Sequence, residues 1–129
     1  GETAGTYGMA VDEQSGLLYS THPSKRIDIF TPDAIREGVI FKRVDQLTYA
    51  NIPYALDFYE GRLFVSSNGK EKFCEVDPVT GEILKDYTVV GDVTLQVPEK
   101  FCIRRNTLFM IDRTKSGACI YTIPMNELN

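Results

Sequence analysis

The side chains able to do chemistry are few in this chain, and they do not cluster. His22 is the only histidine; it sits beside Pro23 in a polar stretch, where a solvated imidazole is the ordinary state. Cys74, Cys102 and Cys119 have no metal-ligand spacing, so no zinc set exists. An odd number of thiols is no disulfide framework; they read as small buried hydrophobes, with a Cys74–Cys119 bridge as the alternative. The Ser and His residues carry no nucleophile-elbow signature. Asp12 and Asp57 stand 45 residues apart, and the same step leads on to Cys102. Paired carboxylates can do acid-base work or hold Ca2+, but an Asp that closes a strand before a turn is commonplace. Glu99 opens an apolar run and could face a central channel. This inventory names no catalytic residue and calls for no cofactor.

The elements that must position these residues are repeated. A step of 45 residues superimposes Tyr7, Ile52 and Val97, then Gly8, Pro53 and Pro98, with no gap. Val11, Leu56 and Phe101 follow, then Leu18, Leu63 and Leu108, then Tyr19, Phe64 and Phe109. Further on the register slips by one or two residues, as loops allow, so that Phe30, Val76 and Ile123 correspond. A period near 45 suits propeller blades or helical HEAT and armadillo units. The interior of the repeat separates the two. Its apolar runs are short, rich in Val, Ile, Phe and Tyr, and bounded by Gly, Asn, Asp or Pro, which is the pattern of strands.

The first repeat predicts strands over 7–12, 17–21, 26–30 and 39–45. Thr31 can cap, Pro32 suits a first helical position and Gly38 a stop, so one or two helical turns are expected between the last two. The second repeat predicts strands over 53–58, 62–67, 72–77 and 82–89, with Asp77-Pro78-Val79-Thr80-Gly81 as a hairpin turn. The third predicts 98–103, 107–112 and 118–123, after which Pro124 turns the chain; its fourth strand is missing. The expected fold is therefore all-β: a β-propeller, with blades at about 6–47, 52–90 and 97–129. The inner runs LLY, RLFV and TLFM are expected to be buried on both faces, because each blade packs on its neighbours. Three blades make an arc with two bare ends, and bare apolar sheet faces do not stay wet. Further blades of a six- to seven-bladed ring, from the same or another polypeptide, are the expected partners; two copies of this chain would give six.

These residues resemble a known repeat group. YGMAVDEQSGLLYSTHPSKRIDIF is similar to the NHL-type repeat, and PYALDFYEGRLFVSSNGKEKFCEVDPVTGEIL resembles the related YVTN type, whose third strand also ends in Asp-Pro-x-Thr-Gly. The resemblance covers about residues 7–123. It implies a propeller. It leaves function open, because propellers of this group include RNA binders, protein-interaction modules, metal-dependent lactonases and lyases.

Charge narrows the function. The chain carries a net charge of −4, which disfavours a general nucleic-acid binder. No apolar run is long enough to cross a membrane as a helix, no N-terminal apolar segment with a basic flank is present, and no membrane partner is expected. In a propeller the loops joining second to third strands share one rim with the loops joining blades. That rim collects His22, Lys25, Arg26, Lys70, Lys72, Arg113 and Lys115, against Glu71 and Asp112, and adds Tyr49 and Tyr54. The opposite rim has Asp12, Glu13, Glu37, Glu60, Asp77 and Glu82, relieved by Arg36, Arg104 and Arg105. The expectation is a non-catalytic binding module whose basic, Tyr-containing rim takes an acidic peptide, a glycan or a nucleic-acid strand. A metal-dependent hydrolase or lyase with its site on the central axis, and a structural segment of a large assembly, are the alternatives.

Overall fold

The computed structural model describes residues 7–35 and 38–128, and for 33–35 and 38–41 the backbone alone. The described chain is all-β apart from one 3-10 turn, Met125–Glu127. The first sheet has the order β1 (Met9–Val11), β2 (Leu18–His22), β3 (Arg26–Ile35), β4 (Gly38–Thr48). The second has β5 (Pro53–Tyr59), β6 (Arg62–Ser67), β7 (Phe73–Val76), β8 (Ile83–Asp86). A two-residue ladder, β9 (Val89–Val90) with β10 (Val93–Thr94), lies in the connection to the third sheet, β11 (Pro98–Arg104), β12 (Thr107–Thr114), β13 (Gly117–Pro124). Every pairing is antiparallel. These are two four-stranded propeller blades and a third blade of three strands. The innermost strands β1, β5 and β11 are neighbours around one axis.

The repeat register becomes burial. Odd positions of β2, Tyr19 and Thr21, face blade 2; their equivalents one repeat on, Phe64 and Ser66, face blade 3. Leu63 and Val65 point the other way, into the core shared with blade 1. Hence β6 is buried on both faces and reads as a continuous apolar run, as expected for a strand between two blades. The core divides accordingly into one cluster for each of the two inter-blade spaces. Gly8 is set by this packing: a Cβ there would come within 2.7 Å of the Tyr54 carbonyl oxygen.

Four expectations need correction. The segment from Thr31 is strand, with Thr31 opposite Lys42 and Pro32 opposite Phe41. Beyond Phe30 the strand pairs with β4 but no longer with β2, and such an edge tolerates a proline; residues 36–37 of the expected helical turn lie outside the described residues. Strand β8 stops at Asp86, because Gly91, at φ +61°, folds Val89–Thr94 into its own small hairpin. The run Thr107–Thr114 is buried on one face only: Leu108, Met110 and Asp112 are covered, while Phe109, Ile111 and Arg113 are exposed. Of the cysteines Cys74 alone is buried; Cys102 and Cys119 are exposed, and all three are free thiols, so no Cys74–Cys119 bridge forms.

Candidate functional site

The rim built by the β2–β3, β6–β7 and β12–β13 turns and the inter-blade connections is held together by hydrogen bonds between its loops. Tyr49 N–H donates to the Lys25 carbonyl (2.9 Å), Arg113 N–H to the Val97 carbonyl (2.9 Å), and Lys72 Nζ to the Gln96 carbonyl. Fully buried Asp112 accepts from the amides of Gln96 (3.1 Å) and Val97 (2.7 Å) and so fixes the connection into blade 3. It is a loop anchor, not a rim charge.

The expected rim residues separate into engaged and open groups. Arg26 donates to Asp28 at 2.7 Å, and Asp28 is buried, with Arg43 4.0 Å from the same carboxylate oxygen. Arg113 pairs with Glu99, on the innermost strand β11, at 2.8 Å, so this carboxylate is engaged. His22 Nδ1 accepts from the Ser24 amide at 3.0 Å, a local turn bond. Tyr49 is 3% exposed and its hydroxyl lies 2.7 Å from Cys74 Sγ, so this ring belongs to the core and cannot offer a docking surface. Tyr54 is half-buried and meets Tyr7 edge-to-face at 5.3 Å, at the inner margin of the rim. Lys25, Lys70 and Lys115 are exposed, and among the described residues none of them is ion-paired.

Those three lysines show a regularity that the summed loop charge conceals. Lys25, Lys70 and Lys115 are separated by 45 residues each, and each falls in the turn between the second and third strands of its blade. Their flanks differ: Ser24, Gly69 and Thr114 before, Arg26, Glu71 and Ser116 after. Backbone geometry does not impose the residue either, since Lys25 has φ +59° and the other two lysines do not share a positive φ. The rim carboxylates nearest in sequence are engaged: Asp28 as above, and Glu71 by Asn51 Nδ2. Asp86, at the end of β8, and Asp92, on the connection into blade 3, are exposed. Partial desolvation of the carboxylate, then the neighbouring Glu71 charge, raises the Asp86 carboxyl above its ordinary value.

On the axis side, a cleft of about 850 Å3 is lined by β1, β5, β11 and the turns that follow them. Its carboxylates have structural partners. Asp12 accepts from the Gln14 amide (3.1 Å) and the Ser15 hydroxyl (2.8 Å), closing its own turn. Asp57 accepts from the Ile103 amide and Arg104 Nη1, both at 2.8 Å, and ties blade 2 to blade 3. Among the described residues no group of three or more His, Cys, Asp or Glu side chains is arranged to hold a metal.

The fold and its loop-built rim define a sector of a β-propeller, and comparison with known proteins agrees at that level. The chain is similar to BamB from Moraxella catarrhalis (TM-score 0.55, 12% identity, 95% of this chain and 35% of that one). It is also similar to KlHsv2 with loop 6CD replaced by a Gly-Ser linker (TM-score 0.52, 12% identity, 95% of this chain and 40% of that one). Both are β-propellers, and this chain spans between a third and two fifths of each. No protein-family model matches, the NHL and YVTN types included, and no curated protein matches. At 12% identity the likeness carries the fold and not a function.

Proposed function

We propose that this chain is a non-catalytic binding sector of a larger propeller, and that its rim of β2–β3, β6–β7 and β12–β13 turns docks an acidic partner. One observation carries the reading: each blade projects one lysine, Lys25, Lys70 or Lys115, without an ion-pair partner on a rim whose other cations are tied down. Loops on a rigid scaffold are where binding residues usually sit, and like charges left unpaired on one face raise the local concentration of counter-charged ligands. The resemblance to NHL- and YVTN-type repeats, which include protein-interaction modules, is in keeping with this. The axial cleft supports the hydrolase or lyase reading less well, because Asp12 and Asp57 are engaged in a turn and in an inter-blade bond.

The test is binding of poly-glutamate to the protein and to the K25E/K70E/K115E variant, at low and at raised ionic strength. Binding that weakens with salt and disappears in the variant supports the reading. Equal binding by both proteins rules the rim out.

A further inference from the structure

We infer that Asn68 is a site of spontaneous modification, converting to aspartate and isoaspartate at its bond to Gly69, and that the change lowers the positive charge of the rim. The first part stands on the turn itself; the second rests on the rim reading above. Asn68-Gly69 is the one Asn-Gly step in the chain, and it lies in the β6–β7 turn beside Lys70. Asn68, Gly69 and Lys70 are all exposed. Gly69 holds φ +109°, and a Cβ there would come within 2.5 Å of Asn51 Oδ1, so the turn keeps its glycine. With no side chain at Gly69 its amide nitrogen is unshielded, and among the described residues that N–H has no hydrogen-bond acceptor. The electrophile is held from the other side. Asn68 N–H donates to the Ile52 carbonyl at 3.3 Å, and Ile52 N–H donates to Asn68 Oδ1 at 3.2 Å.

The reaction balances with water as the only co-reactant. The Gly69 amide nitrogen gives its proton to solvent base and attacks Asn68 Cγ, closing a succinimide ring. The Cγ–Nδ2 bond breaks, and that nitrogen takes up a proton and leaves as ammonia. Water then opens the ring at either carbonyl. At Cγ it returns aspartate in an ordinary chain; at the main-chain carbon it leaves isoaspartate, with an added methylene in the backbone. Nothing is oxidised or reduced. The Ile52 N–H sits where charge builds on Oδ1 during the attack, as a single oxyanion donor does. Either product adds a carboxylate two residues from Lys70. Two residues span at most about 7 Å, inside the Debye length of ~8 Å at physiological salt, so the new charge offsets part of the Lys70 charge. Glu71, the carboxylate already in this turn, is engaged by Asn51.

The experiment incubates the native protein in mildly alkaline buffer and follows its tryptic peptides by mass and by isoaspartyl methyltransferase labelling, with a zero-time sample as baseline. Cleavage after Arg62 and Lys70 isolates Asn68, while Asn51 and Asn106, followed by Ile52 and Thr107, fall in other peptides. Peptide 63–70 is expected to lose its amide nitrogen and become a methyl acceptor, with the peptides of Asn51 and Asn106 unchanged. A native protein that keeps Asn68 while a synthetic 63–70 peptide loses it in the same buffer overturns the site, because the fold then protects it. The effect on charge is read separately on poly-glutamate. Asn68→Asp carries the charge of the product and Asn68→Gln is the neutral control; an unchanged melting temperature shows that each is folded. Asn68→Asp is expected to weaken binding about two- to fivefold, the range of one exposed ion pair, and Asn68→Gln to leave it unchanged. If Asn68→Asp binds like the unsubstituted protein while K25E/K70E/K115E does not bind, the effect on the rim is overturned and the rim reading stands. If K25E/K70E/K115E binds equally, the rim reading falls and the effect with it, while the peptide masses still decide the site.

Discussion

At the scale of single residues, the clearest consequence concerns Cys74. It is fully buried beside the Tyr49 hydroxyl, and burial pushes its thiol up to about 12 from the ordinary 9.0. A thiol reagent at neutral pH should therefore modify Cys102 and Cys119 rapidly in the native protein and Cys74 only after denaturation. Rapid labelling of all three in native conditions would contradict the packing. The sign of the pH dependence follows. The folded state holds the Cys74 proton more tightly than the unfolded chain, so this contribution to stability is whole below pH 9.0 and is lost as pH rises toward about 12. Tyr49, also raised, chiefly by burial, acts in the same direction. Alkaline titration of the melting temperature should show the decline, and Cys74→Ser should alter its shape. Tyr49→Phe removes the partner of the buried sulfur and should cost about 1 kcal/mol.

At the scale of elements, the blades are joined by the same bond made twice. Thr21 Oγ1 donates to the Tyr54 carbonyl at 2.9 Å, and Ser66 Oγ to the Glu99 carbonyl at 3.1 Å. Both donors and both acceptors are 45 residues apart. Thr21→Val and Ser66→Ala should each lower stability by about 1 kcal/mol, with additive effects, since the two seams share no partner. Gly8 tests the same seam by shape. Gly8→Ala places a methyl 2.7 Å from the Tyr54 carbonyl and forces β1 from β5, at a cost of about 1–3 kcal/mol of denaturant stability. A neutral result for Gly8→Ala would mean that the blades are looser than this packing implies.

For the whole molecule, the two ends of the arc are the halves of an interface made twice inside it. Val11 is 49% exposed, where its equivalents Leu56 and Phe101 are 4% and 9% exposed under the preceding blade. Phe109 is 40% exposed, where Phe64 is fully buried by the next blade. At the position of the Thr21 and Ser66 hydroxyls the open face carries Ile111, also exposed. Such surface is the kind that further blades cover. In solution the chain is expected to be found with additional blades, its own copies included, and not as a lone sector. Light scattering on the native sample beside its denaturing mass measures this. Phe109→Asp with Ile111→Asp should reduce the assembled mass while leaving the strand content of the circular dichroism spectrum in place. A compact monomer at all concentrations would refute the expectation.

The sequence by itself determined the repeat, and with it the fold class. A period of 45 with short β-branched and aromatic runs admits few architectures, and because side-chain direction alternates along a strand, one register fixes which residues meet which blade. It also held the signal of the rim: Lys25, Lys70 and Lys115 stand in the same register that aligns the apolar positions, visible once charged columns are superimposed as apolar ones are. Tertiary structure decided which charges are available. That Arg26, Arg113 and Asp112 are engaged, and that Tyr49 turns inward to Cys74, depends on side chains far apart in the chain or on loop paths that no periodicity encodes. The strand through Thr31 and Pro32 was illegible for the same reason: cap and proline signals are local, and the β4 partner that overrides them is supplied by the fold.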